Sequence, residues 1–150
     1  MRCVVCVDRA RLFGAGLWVL LMAAAVQASA QHYEVAETTV KDLNTGLTWQ
    51  RNTAPTLRSW AEAKAYCDTL PLAGGAWRLP ALKELLTLVD LRRSDPAIDA
   101  QAFPGAMSLG LWTSSLYVGD AADRAWFVHF LRGVSGHESV NVGYLARCVR

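Results

Sequence analysis

The chain has 150 residues, with 15 Lys and Arg against 13 Asp and Glu, and its first thirty residues stand apart in composition from the rest. Those thirty hold Arg2, Arg9, Arg11 and Asp8, so the remaining 120 carry twelve cations and twelve anions. A neutral balance excludes a general nucleic-acid or anionic-membrane binder, which needs a basic excess, and 120 residues build one core rather than two.

At the N-terminus the three arginines precede an uncharged run, AGLWVLLMAAAV, and then Ala28-Ser29-Ala30. Charged start, apolar centre and an A-x-A site together predict a secretory signal peptide over residues 1–30, with Gln31 as the first mature residue. The apolar run covers only residues 15–26, short of the roughly 20 that a spanning helix needs, so no membrane insertion is expected after cleavage. The product is expected to be exported, either periplasmic or secreted. Cys3 and Cys6 form a C-x-x-C, but it falls in the discarded segment. Cys67 and Cys148 remain, and an even pair in an exported chain reads as a disulfide.

Residues 31–37 are expected to be a short leader to a single domain over 38–150. TTVKDLNTGLTWQR predicts two short strands around Asn44-Thr45-Gly46, residues that supply the backbone of a tight turn. Ser59 and Glu62 make an S-x-x-E capping box that opens a helix to about Leu70, with Trp60, Ala63, Cys67 and Leu70 on one face. Next comes GGAWRLPALKELL. Its glycines reverse the chain, Trp77-Arg78-Leu79 is extended, and Pro80 is expected to start a second helix whose inward stripe is Leu82, Leu85, Leu86 and Val89. Glu84 is spaced for another capping box, but Ala81 lacks the hydroxyl. Polar turns are expected around Asp95-Pro96 and Phe103-Pro104-Gly105. Three further strands are expected at LWTSSLYV, AWFVHFL and GYLARCVR, with a loop from Arg132 to Asn141. Hairpin, two helices and then antiparallel strands make an α+β domain, with Cys67 of the first helix tied to Cys148 of the last strand.

VKDLNTGLTWQ, WAEAKAYCDTLPLAGGAWRLPALKELLTLVD, DPAID, FPG, LWTSS, AWFVHF and ARCVR occur in this order over residues 40–150. Together they resemble the Lcl C-terminal domain family, a bacterial domain whose namesake belongs to a collagen-like surface adhesin. The resemblance implies a C-type lectin-like fold, two helices packed on antiparallel strands, in which a helix-to-last-strand disulfide is a standing feature. It also implies a distant likeness to the formylglycine-generating enzymes. The chain departs from the family pattern at Ala81, where Thr or Ser is usual, at Leu111 (an aromatic), at His129 (an Asp) and at Ala146 (a Val).

No G-x-S-x-G, H-E-x-x-H, P-loop or dinucleotide fingerprint is present, so neither a catalytic set nor a cofactor is expected. Formylglycine-generating chemistry would need Cys67 and Cys148 as working thiols, whereas both are better placed as a bridge. The calcium lectins' E-P-N, Q-P-D and W-N-D triplets are missing. His32, His129 and His137 lack ligand spacing, and Asp95 and Asp99 are too few for calcium, so no metal is expected. Of five tryptophans, Trp49, Trp60, Trp77, Trp112 and Trp126, at least four are expected in the core. Trp49, Trp77, Arg78, Pro80 and Trp112 are read as structural motif, Arg78 as a structural cation bonded to carbonyls or a carboxylate. Ligand contacts are expected from loops: Tyr117 and Arg124 around Gly119-Asp120, and Arg132, His137, Glu138 and Asn141 in the longer one. The expected function is a non-enzymatic binding or adhesion module for a glycan or a protein surface. An enzyme of formylglycine-generating type and a structural subunit of an envelope assembly are the alternatives.

Overall fold

The computed structural model describes residues 32–119 and 123–150. The expected signal peptide and the Cys3 and Cys6 pair lie outside the described residues, as does Asp120. The expected hairpin forms from β2 (Thr39–Asp42) and β3 (Thr48–Gln50), paired antiparallel with Val40 opposite Trp49. The Asp42 carboxylate shapes its turn by accepting from the Asn44 N–H at 2.9 Å and the Thr45 hydroxyl at 2.8 Å, and Gly46 takes φ +74°. The segment expected to be a leader instead contributes β1 (Tyr33–Val35), which pairs antiparallel with β2. Three residues with one inward ring carry no readable period; the Tyr33 ring packs edge-on to Phe103 at 5.3 Å.

Helix α1 (Trp60–Asp68) starts as its capping box dictates, the Ser59 N–H donating to Glu62 Oε2 at 2.9 Å. It stops two residues before Leu70, with Thr69 as C-cap. Ala63 and Cys67 face the interior, and Cys67 is bonded to Cys148 with Cα atoms 5.4 Å apart.

Helix α2 (Leu82–Leu86) is barely more than one turn, and Pro80 lies two residues before its first helical residue rather than at it. The Pro80 carbonyl is needed elsewhere, accepting from the Ser114 N–H at 2.7 Å. Glu84 supplies half of the capping box by accepting from the Ala81 N–H at 2.8 Å. No side chain at Ala81 caps the helix, and a different first-turn donor, the Leu82 N–H, donates to Ser115 Oγ at 3.0 Å. The expected stripe is corrected too: Leu85 is buried, Leu86 is exposed, and Leu88 turns inward instead. The helix ends at Leu86, so its period no longer governs the residues beyond it.

The second sheet has the order β4-β5-β6, from β4 (Gly110–Leu116), β5 (Arg124–His129) and β6 (Val134–Ser139), all antiparallel. Strand β6 occupies what was expected to be loop. Its one apolar residue, Val134, is exposed, as suits an edge strand with little to bury, so the sequence shows no alternation there. Conversely, GYLARCVR is not a ladder strand. It is an extended segment that bridges Tyr144 to Arg58, Leu145 to Leu111, and Val149 to both Trp49 and Arg78, and so joins the two sheets to the α1 and α2 regions.

The core lies on both sides of this segment. One cluster gathers Trp49, Leu85, Leu88, Phe103, Val128 and Leu145; the other surrounds the disulfide with Trp77, Leu79, Trp112 and Ala125. No helix among the described residues is long and apolar enough to cross a membrane.

Candidate functional site: an aromatic face beside an arginine

Register on β5 and β6 decides which side chains share a face. Trp126 lies opposite His137 and Arg124 opposite Ser139, while Ala125 and Phe127 on the alternate face lie opposite Glu138 and Gly136. Tyr117, just past the end of β4, reaches the first face: its ring stacks on the His137 imidazole at 3.8 Å with an interplanar angle of 18°. Trp126 meets Tyr117 at 5.7 Å and His137 at 5.4 Å, both edge-on. Arg124 Nη1 stands 3.4 Å from His137 Nδ1. The Trp126 backbone is held in turn, its carbonyl accepting from the Thr113 hydroxyl at 2.8 Å.

Of the six residues expected to bind ligand, Tyr117, Arg124 and His137 thus come together. The other three do not. Glu138 points to the opposite face, where it and, more strongly, burial push the Tyr144 hydroxyl pKa up. Arg132 lies beyond the far end of the ladder, beside His129, Leu131 and Val134 in a shallow apolar groove of about 270 Å³. Asn141 is exposed beyond β6, with only its backbone bonded, to Ser139 Oγ. The expectation of a loop site is also corrected, because Arg124, Trp126 and His137 stand on strands. Trp126 was missed, although period two along AWFVHF, with Ala125 buried, would have pointed it away from the disulfide cluster.

The tryptophans divide accordingly. Trp49, Trp77 and Trp112 are 4% exposed or less, whereas Trp60 and Trp126 are only half-buried. The Trp60 indole N–H donates to the Thr113 carbonyl at 2.8 Å.

A second concavity, a cleft of about 370 Å³, is lined by Tyr33, Asp42, Asn44, Asp90 and Asp99 among others. Burial first, then the charges of Asp42, Asp99 and Asp90, push the Tyr33 hydroxyl up to about 12. All three carboxylates are committed locally. Asp42 holds its turn, Asp99 accepts from the Gln101 N–H at 2.9 Å, and Asp90 is held well below the usual carboxylate range by the side chain and backbone of Arg92 and by Arg93. Among the described residues no group of three or more His, Cys, Asp or Glu is arranged to hold a metal ion.

WRLP itself is architecture. Trp77 and Leu79 point inward, and Arg78 points outward to pair with Glu84 through two bonds of 2.7 Å. The fully buried cation is Arg147, which sequence reasoning did not single out. Its guanidinium donates to the carbonyls of Gln50 at 3.0 Å and Arg51 at 2.8 Å and to the Thr53 hydroxyl at 2.6 Å, and it lies 4.5 Å over the Phe103 ring. Burial pulls its pKa down to about 9, which still leaves it charged at neutral pH.

The model of the Lcl C-terminal domain matches residues 38–150. The chain belongs to that family. A search of curated proteins found no match to it. Strand β1 precedes the matched region yet pairs with β2, so this Lcl C-terminal domain extends its first sheet by one strand on the N-terminal side.

Proposed function

We propose that this Lcl C-terminal domain is an exported, non-enzymatic binding or adhesion module with a C-type lectin-like fold, and that it takes a glycan or a protein surface on the Tyr117, Trp126, His137 and Arg124 face. The observation that carries the reading is the convergence of three aromatic rings and a cation from three parts of the chain, with Tyr117 and His137 stacked at 3.8 Å. Sugars and protein hot spots are both recognised by aromatic side chains backed by an arginine. Export is supported by the N-terminal pattern and by the disulfide, since such bonds persist in oxidising compartments. The same bond speaks against thiol chemistry, because Cys67 and Cys148 are both fully buried as well as bonded.

The test is a glycan panel together with protein capture, run on the wild type and on Trp126→Ala and Arg124→Gln. Binding that both variants lose while remaining folded supports the reading. A ligand held equally well by both, or none found at all, overturns it. Native thiol titration that detects no reactive cysteine is the expected companion result.

A further inference from the structure

Strand β6 is the outer strand of the second sheet, and its hydrogen-bond alternation shows which of its groups face away from β5. The Val140 N–H donates to the Asp123 carbonyl at 2.9 Å, so the main-chain groups of Val134, Gly136 and Glu138 turn toward β5 and those of Ser135, His137 and Ser139 turn outward. At Ser139 the chain closes its own edge. The Ser139 N–H donates to Glu138 Oε1 at 2.9 Å, and the Ser139 carbonyl accepts from the Val142 N–H at 3.0 Å. At the other end of β6, away from Asp123, Val134 and Ser135 are exposed. No Lys, Pro or register shift blunts residues 134–137, and a bare edge of this kind recruits another strand.

The occupant that fits is a second copy of β6. An antiparallel pair about Gly136 sets Ser135 opposite His137 of the other copy, and the two exchange both of their outward bonds. Pairing Ser135 with Ser135 would put His137 against the turn, and pairing His137 with His137 would put Ser135 against the closed Ser139. The Gly136 register is the one that uses every open group. Charge agrees with it, because Glu138 then lies opposite Val134 of the other copy, with the exposed Arg132 two residues further along. Residues 31–150 hold twelve cations and twelve anions, so no net charge holds two copies apart. At the axis the end of the Phe127 ring covers Gly136, its Cζ only 2.8 Å from where a Cβ would stand, and pairing brings the two half-buried rings together over the seam.

We propose that β6 is a homodimer edge: two copies of this domain join through residues 135–137 into one continuous sheet, with the Tyr117, Trp126 and His137 face of both on the same side. A two-fold axis perpendicular to the sheet keeps like faces together. The proposal goes beyond the binding reading and stands without it.

Sedimentation equilibrium of the mature protein from about 1 µM to about 1 mM is the test. A concentration-dependent rise from the mass of one chain toward that of two is expected. Ser135→Pro removes an outward N–H and no bond to β5, a change that edge strands tolerate, so it is expected to keep the wild-type melting temperature and to weaken the dimer about 10-fold. Arg132→Glu and Glu138→Arg are each expected to weaken it about 5-fold, and the two together to restore it, which a local structural role of either residue would not do. A wild type that is monomeric at every concentration overturns the proposal and leaves the edge to a strand of another protein. A dimer unchanged by Ser135→Pro, or a charge pair that does not recover in the double variant, overturns it as well.

Discussion

Two arginine and aromatic arrangements in this domain show how the same residue types become scaffold in one place and candidate site in another. Arg147 lies over Phe103 inside the first core cluster, 1% exposed, with three hydrogen bonds to Gln50, Arg51 and Thr53. Arg124 lies beside Tyr117, Trp126 and His137 on a half-exposed sheet face, with one long contact and the rest of its donors uncommitted among the described residues. Burial and the number of bonds separate them. A buried cation must have most of its donors bonded, and Arg147 is held through Nη1 and Nη2 with only its buried Nε–H lacking a partner, while a wetted cation can keep donors free for a ligand.

The largest effect expected comes from the scaffold side. Cys148 is the residue next to Arg147, and its bond to Cys67 spans 81 residues of sequence. The chain-entropy relation gives such a closure about 4.5 kcal/mol. Replacing both cysteines by Ser should lower the denaturation midpoint accordingly, and a loss below about 1 kcal/mol would mean that the bridging segment, not the bond, holds α1 in place.

Next is the contrast itself. Arg147→Met leaves the Gln50 and Arg51 carbonyls buried without a donor and should cost roughly 2 to 4 kcal/mol in urea unfolding, against less than about 0.5 kcal/mol for Arg124→Gln. Equal costs would remove the distinction. Trp126→Ala should behave like Arg124→Gln, with binding lost and stability changed by less than about 1 kcal/mol.

Arg78 is intermediate, because it is paired yet half-exposed. Solvent screening limits the pair, so Arg78→Ala should cost about 0.5 to 1 kcal/mol and leave binding intact. Abolished binding in a folded Arg78→Ala protein would break the division between scaffold and site. The Glu84 carboxyl is held below its ordinary 4.5, mainly by Arg78, with the Ala81 N–H also lowering it. A depressed folded pKa contributes stability that is present above the unfolded value and lost as pH falls through the folded one. The wild type and Arg78→Ala should therefore converge in acid below about pH 4.5.

Smallest is Ala81→Thr, expected to stabilise by up to about 0.5 kcal/mol. A Thr hydroxyl there would accept from the second or third helical N–H, whereas Ser115 Oγ accepts from the first, that of Leu82. A measured loss would show that the new hydroxyl displaces Ser115.

Much of the fold was legible wherever the controlling interaction is local. The Asn44-Thr45-Gly46 turn and the Ser59 and Glu62 capping box involve residues at most four apart, and both appear as read. Strands β1 and β6 were not legible, because an edge strand buries too little to leave a period in its residues. Three of the four residues of the candidate site were legible as residue types, Tyr117, Arg124 and His137. Their grouping with Trp126 was hidden, since it depends on a register between β5 and β6 that no local spacing encodes.

By itself, then, the sequence determined the family, the α+β class, the start of the first helix, the pairing of Cys67 with Cys148 and the place of Trp49, Trp77 and Trp112 in the core. Those rest on short-range hydrogen bonds, apolar periodicity and cysteine count. The tertiary structure alone decided which arginine is buried and which is half-exposed. Nothing beside Arg147 or Arg124 in the sequence tells them apart in burial, and only the packing of residues about a hundred positions away, Gln50, Arg51 and Thr53, gives one of them three hydrogen bonds in the interior.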